Sequence, residues 1–192
     1  MAYHHGSLRE AAIAAAVALV DEGSTEVGLR ELGRRLGVSH TAIRHHFPTI
    51  ERLIAELVAR WFSDLDRAMG AAVKRVPSTE PITRFRVLGT AYVRYALDHP
   101  HRFRLQFRAG PSGLVPEADA SFRRVLETVV MCLAVSRRPV DPLVTTTLAW
   151  SAMHGLATLW IEGAFRNRLD RGGMEALTDR ITALIAQLIA PA

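Results

Sequence analysis

The sequence has little cysteine and no long uncharged apolar run, and both shortages limit what the protein can be. Cys132 is the single cysteine, so no disulfide can form within the chain. This argues against a disulfide-stapled secreted scaffold. No apolar stretch is long enough to cross a bilayer, and the first residues lack the basic-then-apolar pattern of a signal peptide. We therefore expect a cytoplasmic protein that does not bind a membrane.

Strand-like alternation, internal repeats and low-complexity segments are also missing. Glycine and proline instead divide the 192 residues into helical segments, which is enough chain for one or two small domains with a core. The sequence predicts an all-α fold of nine helices. Their expected positions are Ser7–Glu22, two short helices around Gly37, Thr49 to before Pro77, Pro81–Leu97, Pro100–Arg108, the segment after a 110–116 loop to Ser136, Pro142–Arg168, and a last helix that follows a turn at 170–173 and ends at Pro191.

Positive charge is concentrated in one short segment. The net charge of +5 is compatible with nucleic-acid binding but does not establish it. Between Gly28 and Phe47 the chain has four arginines and a single acidic residue, Glu31. Residues 1–27, in contrast, have only Arg9 against four acidic residues. The basic patch is therefore local.

The residues of this basic segment also have the spacing of a helix-turn-helix. Gly37 supplies the positive φ of a tight turn, Val38 fills the turn, and Ser39 is a good N-cap for the next helix. Gly33 lies inside a helix, where glycine costs about 1 kcal/mol relative to alanine, and this predicts that a second helix crosses very close to it. The aliphatic residues of the first helix that share one face are Leu29, Leu32 and Leu36.

Helical geometry divides the second of these helices into two faces. The polar face, which we predict to enter a major groove, comprises His40, Thr41, Arg44 and His45. The packing face comprises Ala42, Ile43 and His46, with Phe47 at the end. Arg44 can bond a guanine or a phosphate, and the methyl group of Thr41 can meet a thymine methyl. The alternative is a solvated polar face of a helical bundle, but the glycine and aliphatic spacing favours DNA binding.

At these residues the sequence resembles the TetR family of one-component regulators. The resemblance covers the whole chain and is strongest over residues 4–60, in the runs His4–Arg9, Gly28–Ser39 and His46–Pro48. Two later segments resemble one branch of the family, with a Trp-x-x-x-His-Gly pattern. These segments are Asp98–Phe107 and Trp150–Ala157.

The resemblance implies a homodimer with a TetR-like fold. Residues 1–47 would form a three-helix DNA-binding domain, and residues 48–192 would form a helical domain for effector binding and dimerisation. The implied partners are a double-stranded DNA operator, a small-molecule effector and a second copy of the chain, and repression is the usual mode. The DNA-binding candidates are Gly28, Arg30, Ser39, His40, Thr41, Arg44, His45 and Thr49.

Three positions depart from the family pattern. Gly28 stands where a serine or threonine commonly caps the second helix and touches phosphate, and Ile50 stands where a lysine is frequent. Arg44 replaces a tyrosine that commonly contacts the DNA backbone. Because non-specific affinity scales with phosphate contacts, the first two changes predict weaker binding. The pattern leaves open whether Arg44 offsets the two losses.

The last helix has a continuous apolar stripe that must be buried, either within the monomer or against a partner. The preceding helix is apolar nearly all round, with Trp150, His154, Ile161 and Phe165 on one face. The resemblance implies that these two helices form a four-helix dimer interface. Its candidate residues are Gly155, Leu159, Leu177, Ile181, Leu184, Ile185 and Leu188.

A set of mainly aromatic residues could form the effector pocket, although each of the aromatic residues is more often ordinary core. His154 is as readily a core histidine as a ligand contact. The set has few acidic residues, which predicts an apolar or weakly polar effector. The candidates are Trp61, Leu65, Tyr92, Phe103, Phe107, Phe122, Trp150 and His154.

Two other functions compete with this interpretation. An enzyme is disfavoured because the sequence has no nucleophile elbow, no phosphate-binding glycine loop and no pair of histidines at helical spacing with a carboxylate. The sequence likewise indicates no cofactor and no metal site. The second alternative is a helical ligand-binding or interaction protein with weakened DNA binding, which the three departures from the family pattern would explain.

Overall fold

The computed structural model describes residues 5–24, 27–108, 116–165 and 167–191, and over these residues the chain forms nine helices and no strand. The all-α prediction is therefore confirmed. The helices are α1 (His5–Asp21), α2 (Leu29–Leu36), α3 (His40–His46), α4 (Ile50–Lys74), α5 (Pro81–Asp98), α6 (Pro100–Arg108), α7 (Pro116–Ser136), α8 (Pro142–Ile161) and α9 (Arg171–Ala186).

Local capping chemistry explains where α8 begins and ends. The Oδ1 atom of Asp141 accepts hydrogen bonds from the backbone N–H groups of Leu143 at 2.7 Å and Val144 at 3.0 Å, so Asp141 is the N-cap of this helix. The predicted end near residue 168 is wrong. The helix ends at Ile161 because Gly163 adopts a φ of +85° and reverses the backbone. Phe165 therefore does not lie on a face of α8.

The bounds of α9 also differ from the prediction. The segment 170–173 is not a separate turn, because Asp170 caps the helix and its Oδ1 atom accepts the N–H of Gly173 at 2.7 Å. The helix then ends at Ala186, and residues 187–190 form turns and a bend instead of continuing to Pro191. Leu188 therefore lies beyond the end of the helix and does not belong to an apolar stripe of α9.

The helices belong to two compact units. Unit 1 comprises Met1–Trp61 and His101–Gly113, and unit 2 comprises Phe62–Pro100 and Leu114–Ala192. The helix α4 runs across the boundary between the units, and most of α6 belongs to unit 1. The expected domain boundary at residue 47 stays a prediction.

In unit 1 the short helices α2 and α3 pack against each other and against α1. The apolar residues Leu8, Ala12, Ala15 and Leu19 of α1 are buried. Ion pairs join α1 to α4, because Arg9 pairs with Glu56 and Arg60 pairs with Glu10 at 3.2 Å. The guanidinium of Arg9 also lies 5.2 Å from the ring centroid of Phe47. The ion pairs hold α1 against α4, and the contact of Arg9 with Phe47 packs the C-terminal end of α3 against α1.

In unit 2, α5 packs against α7, α8 and α9, and α7 and α9 also contact α8. The crossing of α5 and α9 is close, because a Cβ atom on Gly89 would lie 2.5 Å from Cγ2 of Thr182. Burial raises the pKa of the Cys132 thiol to about 11, so this cysteine stays protonated and unreactive near neutral pH. Among the described helices, none has the length and apolar character needed to span a membrane.

Candidate functional site

The turn between α2 and α3 has the geometry that its sequence predicts. Gly37 adopts the left-handed conformation at φ +66° and ψ +29°, and the N–H of Val38 donates to the carbonyl of Gly33 at 3.0 Å. A Cβ atom on Gly33 would lie 2.8 Å from the carbonyl oxygen of Val38 and 3.2 Å from the backbone nitrogen of His40. The predicted close approach at Gly33 is therefore confirmed.

The N-terminus of α3 is capped by a side chain. The Oγ atom of Ser39 accepts the N–H of Ala42 at 3.2 Å, and the backbone of Ser39 is extended, as an N-cap requires. Ser39 thus has a structural role in addition to its predicted position at the DNA interface.

The two faces of α3 are divided by burial as the helical wheel predicts. Ile43 and Phe47 are buried, and Ala42 and His46 are partly buried. The predicted groove-facing residues are all exposed: His40, Thr41, Arg44 and His45. The polar face of α3 is exposed and its apolar face is buried. The polar face can therefore contact a DNA duplex without disrupting the packing of unit 1.

The arginines of the basic segment differ in whether an acidic side chain pairs with them. Arg34 donates to Glu31 at 2.6 Å, and Arg35 donates to Glu22 at 2.6 Å. The hydrogen bond from Arg34 lowers the pKa of the Glu31 carboxyl, which keeps the carboxylate charged. Within the described residues no acidic side chain pairs with Arg30 or Arg44, so these two supply most of the local positive charge. Arg44 Nε donates only to the carbonyl of Pro48, at 3.4 Å.

The starts of α2 and α4 hold the remaining predicted contacts. Gly28 occupies the N-cap of α2 with an extended backbone and makes no side-chain cap bond. A Cβ atom placed on Gly28 meets nothing within 4 Å, so the position is open. Thr49 is exposed, and its Oγ1 atom accepts the N–H of Arg52 at 3.4 Å. Ile50, where a lysine is frequent in the resembled family, is the first residue of α4.

Unit 2 contains a small apolar cavity of about 20 Å³. Tyr92 and Trp150 line it, and their rings meet edge to face at 4.9 Å. The Oη atom of Tyr92 is hydrogen-bonded to Nδ1 of His154 at 2.9 Å, and the ring of Phe122 lies 5.8 Å from that of Trp150. Four predicted effector residues are thus brought together in unit 2.

Of the eight predicted effector residues, Tyr92 and Trp150 line this cavity, while His154 and Phe122 lie beside those two and the other four lie elsewhere. Trp61, Phe103 and Phe107 belong to unit 1, where the rings of Phe103 and Phe107 lie 4.8 Å apart. Leu65 is fully buried in unit 2 but is not part of the lining. The sequence pattern does not identify most of the wall, which consists of aliphatic, methionine, glycine and threonine residues together with the aromatic Phe85. The missed lining residues are Met69, Phe85, Leu88, Gly89, Val125, Ala149, Met153, Thr182 and Ile185.

Burial affects the ionisation of the polar pair beside the cavity. It lowers the pKa of the His154 imidazole and raises that of the Tyr92 phenol well above its usual range. Both groups are therefore neutral near pH 7, and they offer hydrogen bonds without a charge. Among the described residues, no group of three or more histidine, cysteine, aspartate or glutamate side chains could hold a metal ion.

Two family models match the chain. One, described as "Bacterial regulatory proteins, tetR family", matches residues 12–57, and the other, described as "Tetracyclin repressor-like, C-terminal domain", matches residues 85–185. The chain belongs to the TetR family of transcriptional regulators. The first match covers the α2–α3 turn and its exposed polar helix face, and the second covers the cavity region. The assignment to the Trp-x-x-x-His-Gly branch stays a prediction.

Solved structures share this TetR fold over nearly the whole chain. A protein of unknown function from Rhodococcus sp. RHA1 is 28% identical, with 96% of each chain covered and a TM-score of 0.82. The TetR family regulator PfmR from Thermus thermophilus is 18% identical, with 97% of each chain covered and a TM-score of 0.68. RolR in complex with resorcinol is 15% identical, with 98% of this chain and 90% of that chain covered and a TM-score of 0.62. The curated proteins include no significant match.

The residues predicted for the TetR-type dimer interface differ in their exposure. Leu159, Leu184 and Leu188 are exposed although they are large and apolar, and a Cβ atom on Gly155 would meet nothing within 4 Å. Ile185, in contrast, is buried and lines the cavity. The partly buried members are Leu177 and Ile181. Further exposed apolar residues of α8 that the sequence pattern missed are Leu143, Val144 and Leu148.

Proposed function

We propose that the protein is a cytoplasmic, homodimeric repressor that is released from its DNA operator by a small apolar or weakly polar effector. The exposed polar face of α3, held by the backbone contact at Gly33, is the observation that carries the DNA-binding part of the proposal. It has the shape and chemistry that major-groove recognition needs. Regulators of this family are in general not enzymes.

The proposed DNA contacts differ in what they recognise. Arg44, His40, Thr41 and His45 would reach base edges or nearby phosphates from α3. Gly28 and Thr49 would contact phosphate at the starts of α2 and α4, alongside Arg30 and Ser39. In a homodimer the two recognition helices would lie about 34–36 Å apart or somewhat further, and would bind a pseudo-palindromic site. Footprinting of a single half-site by a monomer would contradict this arrangement.

The test of DNA binding compares two exposed arginines. Arg44→Ala should weaken operator binding by about 1–3 kcal/mol, because Arg44 has no acidic partner and lies on the groove-facing side. Arg34→Ala is the matched control, since Arg34 is already paired with Glu31 and should change binding little. Gel shifts with the DNA upstream of the protein's own gene would measure both effects.

The same gel shifts test the second candidate function. The missing hydroxyl at Gly28 favours a helical ligand-binding or interaction protein whose DNA binding is weakened. If no shift occurs at low salt, where phosphate contacts are strongest, the repressor proposal fails and this second function is supported.

The proposed effector site is the cavity of unit 2. Its wall is almost wholly apolar, and the neutral pair Tyr92 and His154 adds hydrogen-bonding groups at its side. A cavity of about 20 Å³ has room for little more than one water molecule, so an effector must widen it. Met69 and Met153 line the cavity, and their flexible side chains can repack to make room. The similarity to RolR, whose structure holds resorcinol, supports a small and weakly polar ligand.

The test of the effector site is a screen of compounds for release of the protein from DNA. Tyr92→Phe should weaken the response to a phenol-like effector, because the phenolic hydroxyl bonded to His154 is lost. Tyr95→Phe is the matched control, since Tyr95 is buried in the same helix but does not line the cavity. Release only by highly charged, hydrophilic compounds would contradict the proposal.

A further inference from the structure

Two exposed arginines lie one helical turn apart on α2. Arg30 and Arg34 are separated by four residues, a spacing that puts their side chains on the same face of a helix. Arg30 is one of the proposed DNA contacts. Arg34 lies in the last turn of α2, next to the turn that leads to α3, and its side chain is 74% exposed. A duplex that contacts Arg30 therefore has a second guanidinium one turn away on the same face.

A carboxylate of the same helix already binds the guanidinium of Arg34. Arg34 Nε donates to Oε2 of Glu31 at 2.8 Å, and Arg34 Nη2 donates to Oε1 at 2.6 Å. Two parallel N–H···O bonds are also the way in which an arginine binds a phosphate group. The hydrogen bond from Arg34 lowers the pKa of the Glu31 carboxyl, so this negative charge is present near neutral pH. Glu31 therefore occupies the position that a DNA phosphate would take.

The second ion pair of α2 differs from the first in what it connects. Arg35 Nη2 donates to Glu22 at 2.6 Å, and Glu22 directly follows the last residue of α1. The side chain of Arg35 is 32% exposed, less than half the exposure of Arg34. Loss of this pair would disturb the contact between α1 and α2. The pair of Glu31 and Arg34 lies within one helix, so it can open without moving any other element.

We infer that Glu31 is an internal competitor for DNA phosphate, which keeps Arg34 in an intramolecular ion pair and lowers the affinity of the protein for any duplex. Without this competitor the guanidinium of Arg34 neutralises one more phosphate and releases one more counterion. The pair opens readily, because an exposed ion pair contributes little to stability. Glu31 therefore limits DNA binding without preventing it.

This inference rests on the proposed function, since it concerns the regulation of the same DNA-binding surface. Phosphate contacts position a protein on a duplex but carry no sequence information. The competition with Glu31 therefore affects binding to the operator and to unrelated DNA alike. A duplex of unrelated sequence serves as the probe, and the operator does not need to be known.

The test measures binding of the full chain to a fluorescently labelled duplex over a series of salt concentrations. Glu31→Gln keeps the size of the side chain but removes its charge, so it frees Arg34. At about 0.1 M salt this variant should bind about three- to tenfold more tightly than the parent protein. The plot of log affinity against log salt should become steeper by about 0.9, the value for one additional phosphate contact. An unchanged slope would overturn the inference, because no phosphate contact is then gained.

Two further comparisons separate this competition from a general effect of charge. In the Arg34→Gln background, Glu31→Gln frees no guanidinium, so the salt slope should stay that of Arg34→Gln alone. Glu80→Gln is the matched charge control, since Glu80 is exposed at the N-cap of α5 and makes no side-chain cap bond. It should leave the affinity and the slope unchanged. A steeper slope in the double variant, or an equal gain in Glu80→Gln, would refute the inference.

The same measurements distinguish failure of this inference from failure of the proposed function. Binding by the parent protein with no change in Glu31→Gln would refute the competition alone. If neither the parent protein nor any variant binds DNA at low salt, the proposed function fails and the inference fails with it. Binding by Glu31→Gln but not by the parent protein would support both. Thermal unfolding of Glu31→Gln near the temperature of the parent protein confirms that the fold is retained.

Discussion

Gly33 and Val38 are in backbone contact, since a Cβ atom on Gly33 would lie 2.8 Å from the carbonyl oxygen of Val38. The helix-turn-helix therefore tolerates no side chain at this position. Gly33→Ala should destabilise the protein by about 1–3 kcal/mol, because the strain of overpacking exceeds the gain of about 1 kcal/mol in helix propensity. Thermal unfolding measures the change.

The control for this substitution is Gly172→Ala. Gly172 lies in the first turn of α9, and the nearest atom to its Cβ position is Oδ1 of Asp170 at an ordinary 3.7 Å. This variant should be neutral or slightly stabilising. If Gly33→Ala behaves like Gly172→Ala, the close approach of α2 and α3 is not what constrains the turn.

Gly28→Ser should strengthen operator binding. The position has an extended backbone at φ −135° and open space around its Cβ, so a serine fits without strain. Its hydroxyl can cap α2 or donate to a DNA phosphate, and one hydrogen bond of about 0.5–1.5 kcal/mol corresponds to a several-fold gain in affinity. Gly28→Ala adds the Cβ atom without the hydroxyl, so it should leave the affinity near that of the parent protein in the same gel shift.

Leu184→Asp should convert the dimer to a monomer. Leu184 is 63% exposed on α9, and Val135 is 63% exposed on α7, so the two offer the same apolar exposure on different helices. A charge at a buried dimer interface is costly because it must be desolvated. Val135→Asp should therefore leave the dimer intact if α8 and α9 form the interface. Sedimentation measurements on both variants show which one dissociates the dimer. Dissociation by Val135→Asp alone would assign the interface to α7.

Stability should fall as the solution is acidified from about pH 7 to pH 5. Burial lowers the pKa of His154 in the folded protein below its ordinary value of 6.5. As the pH falls below 6.5, His154 is therefore protonated more readily in the unfolded chain than in the folded one. The contribution of neutral His154 is fully present above the unfolded pKa and is lost as pH falls toward the folded one. Urea unfolding across this range should show a smaller loss in His154→Gln. Tyr92→Phe retains the imidazole and should keep most of the slope.

Features that depend on neighbouring residues were predictable from the sequence. Asp141 caps α8 and Ser39 caps α3 because each side chain bonds backbone N–H groups two or three residues further on. Gly37 makes its turn because its own φ is positive. The end of α8 differs from the prediction because apolar residues continue beyond Gly163 at Ala164 and Phe165, and periodicity alone does not show which glycine stops a helix.

The cavity walls could not be predicted in the same way. Tyr92 and Trp150 line the cavity of unit 2, whereas the equally aromatic Phe103 belongs to unit 1. An apolar side chain in a helical pattern identifies a buried face but not the elements packed against it.

By itself the sequence determined the all-α fold, the helix-turn-helix and the exposed face of α3, since these follow from hydrogen bonds and helical spacing within a few residues of one another. Only the tertiary structure decided that Arg35 pairs with Glu22 across the α1–α2 connection while Arg44 has no acidic partner among the described residues, and that Ile185 lines a cavity while Leu184 is exposed. Those outcomes depend on which distant helix lies opposite each side chain. That arrangement is set by the packing of all the helices in a unit and not by any one of them.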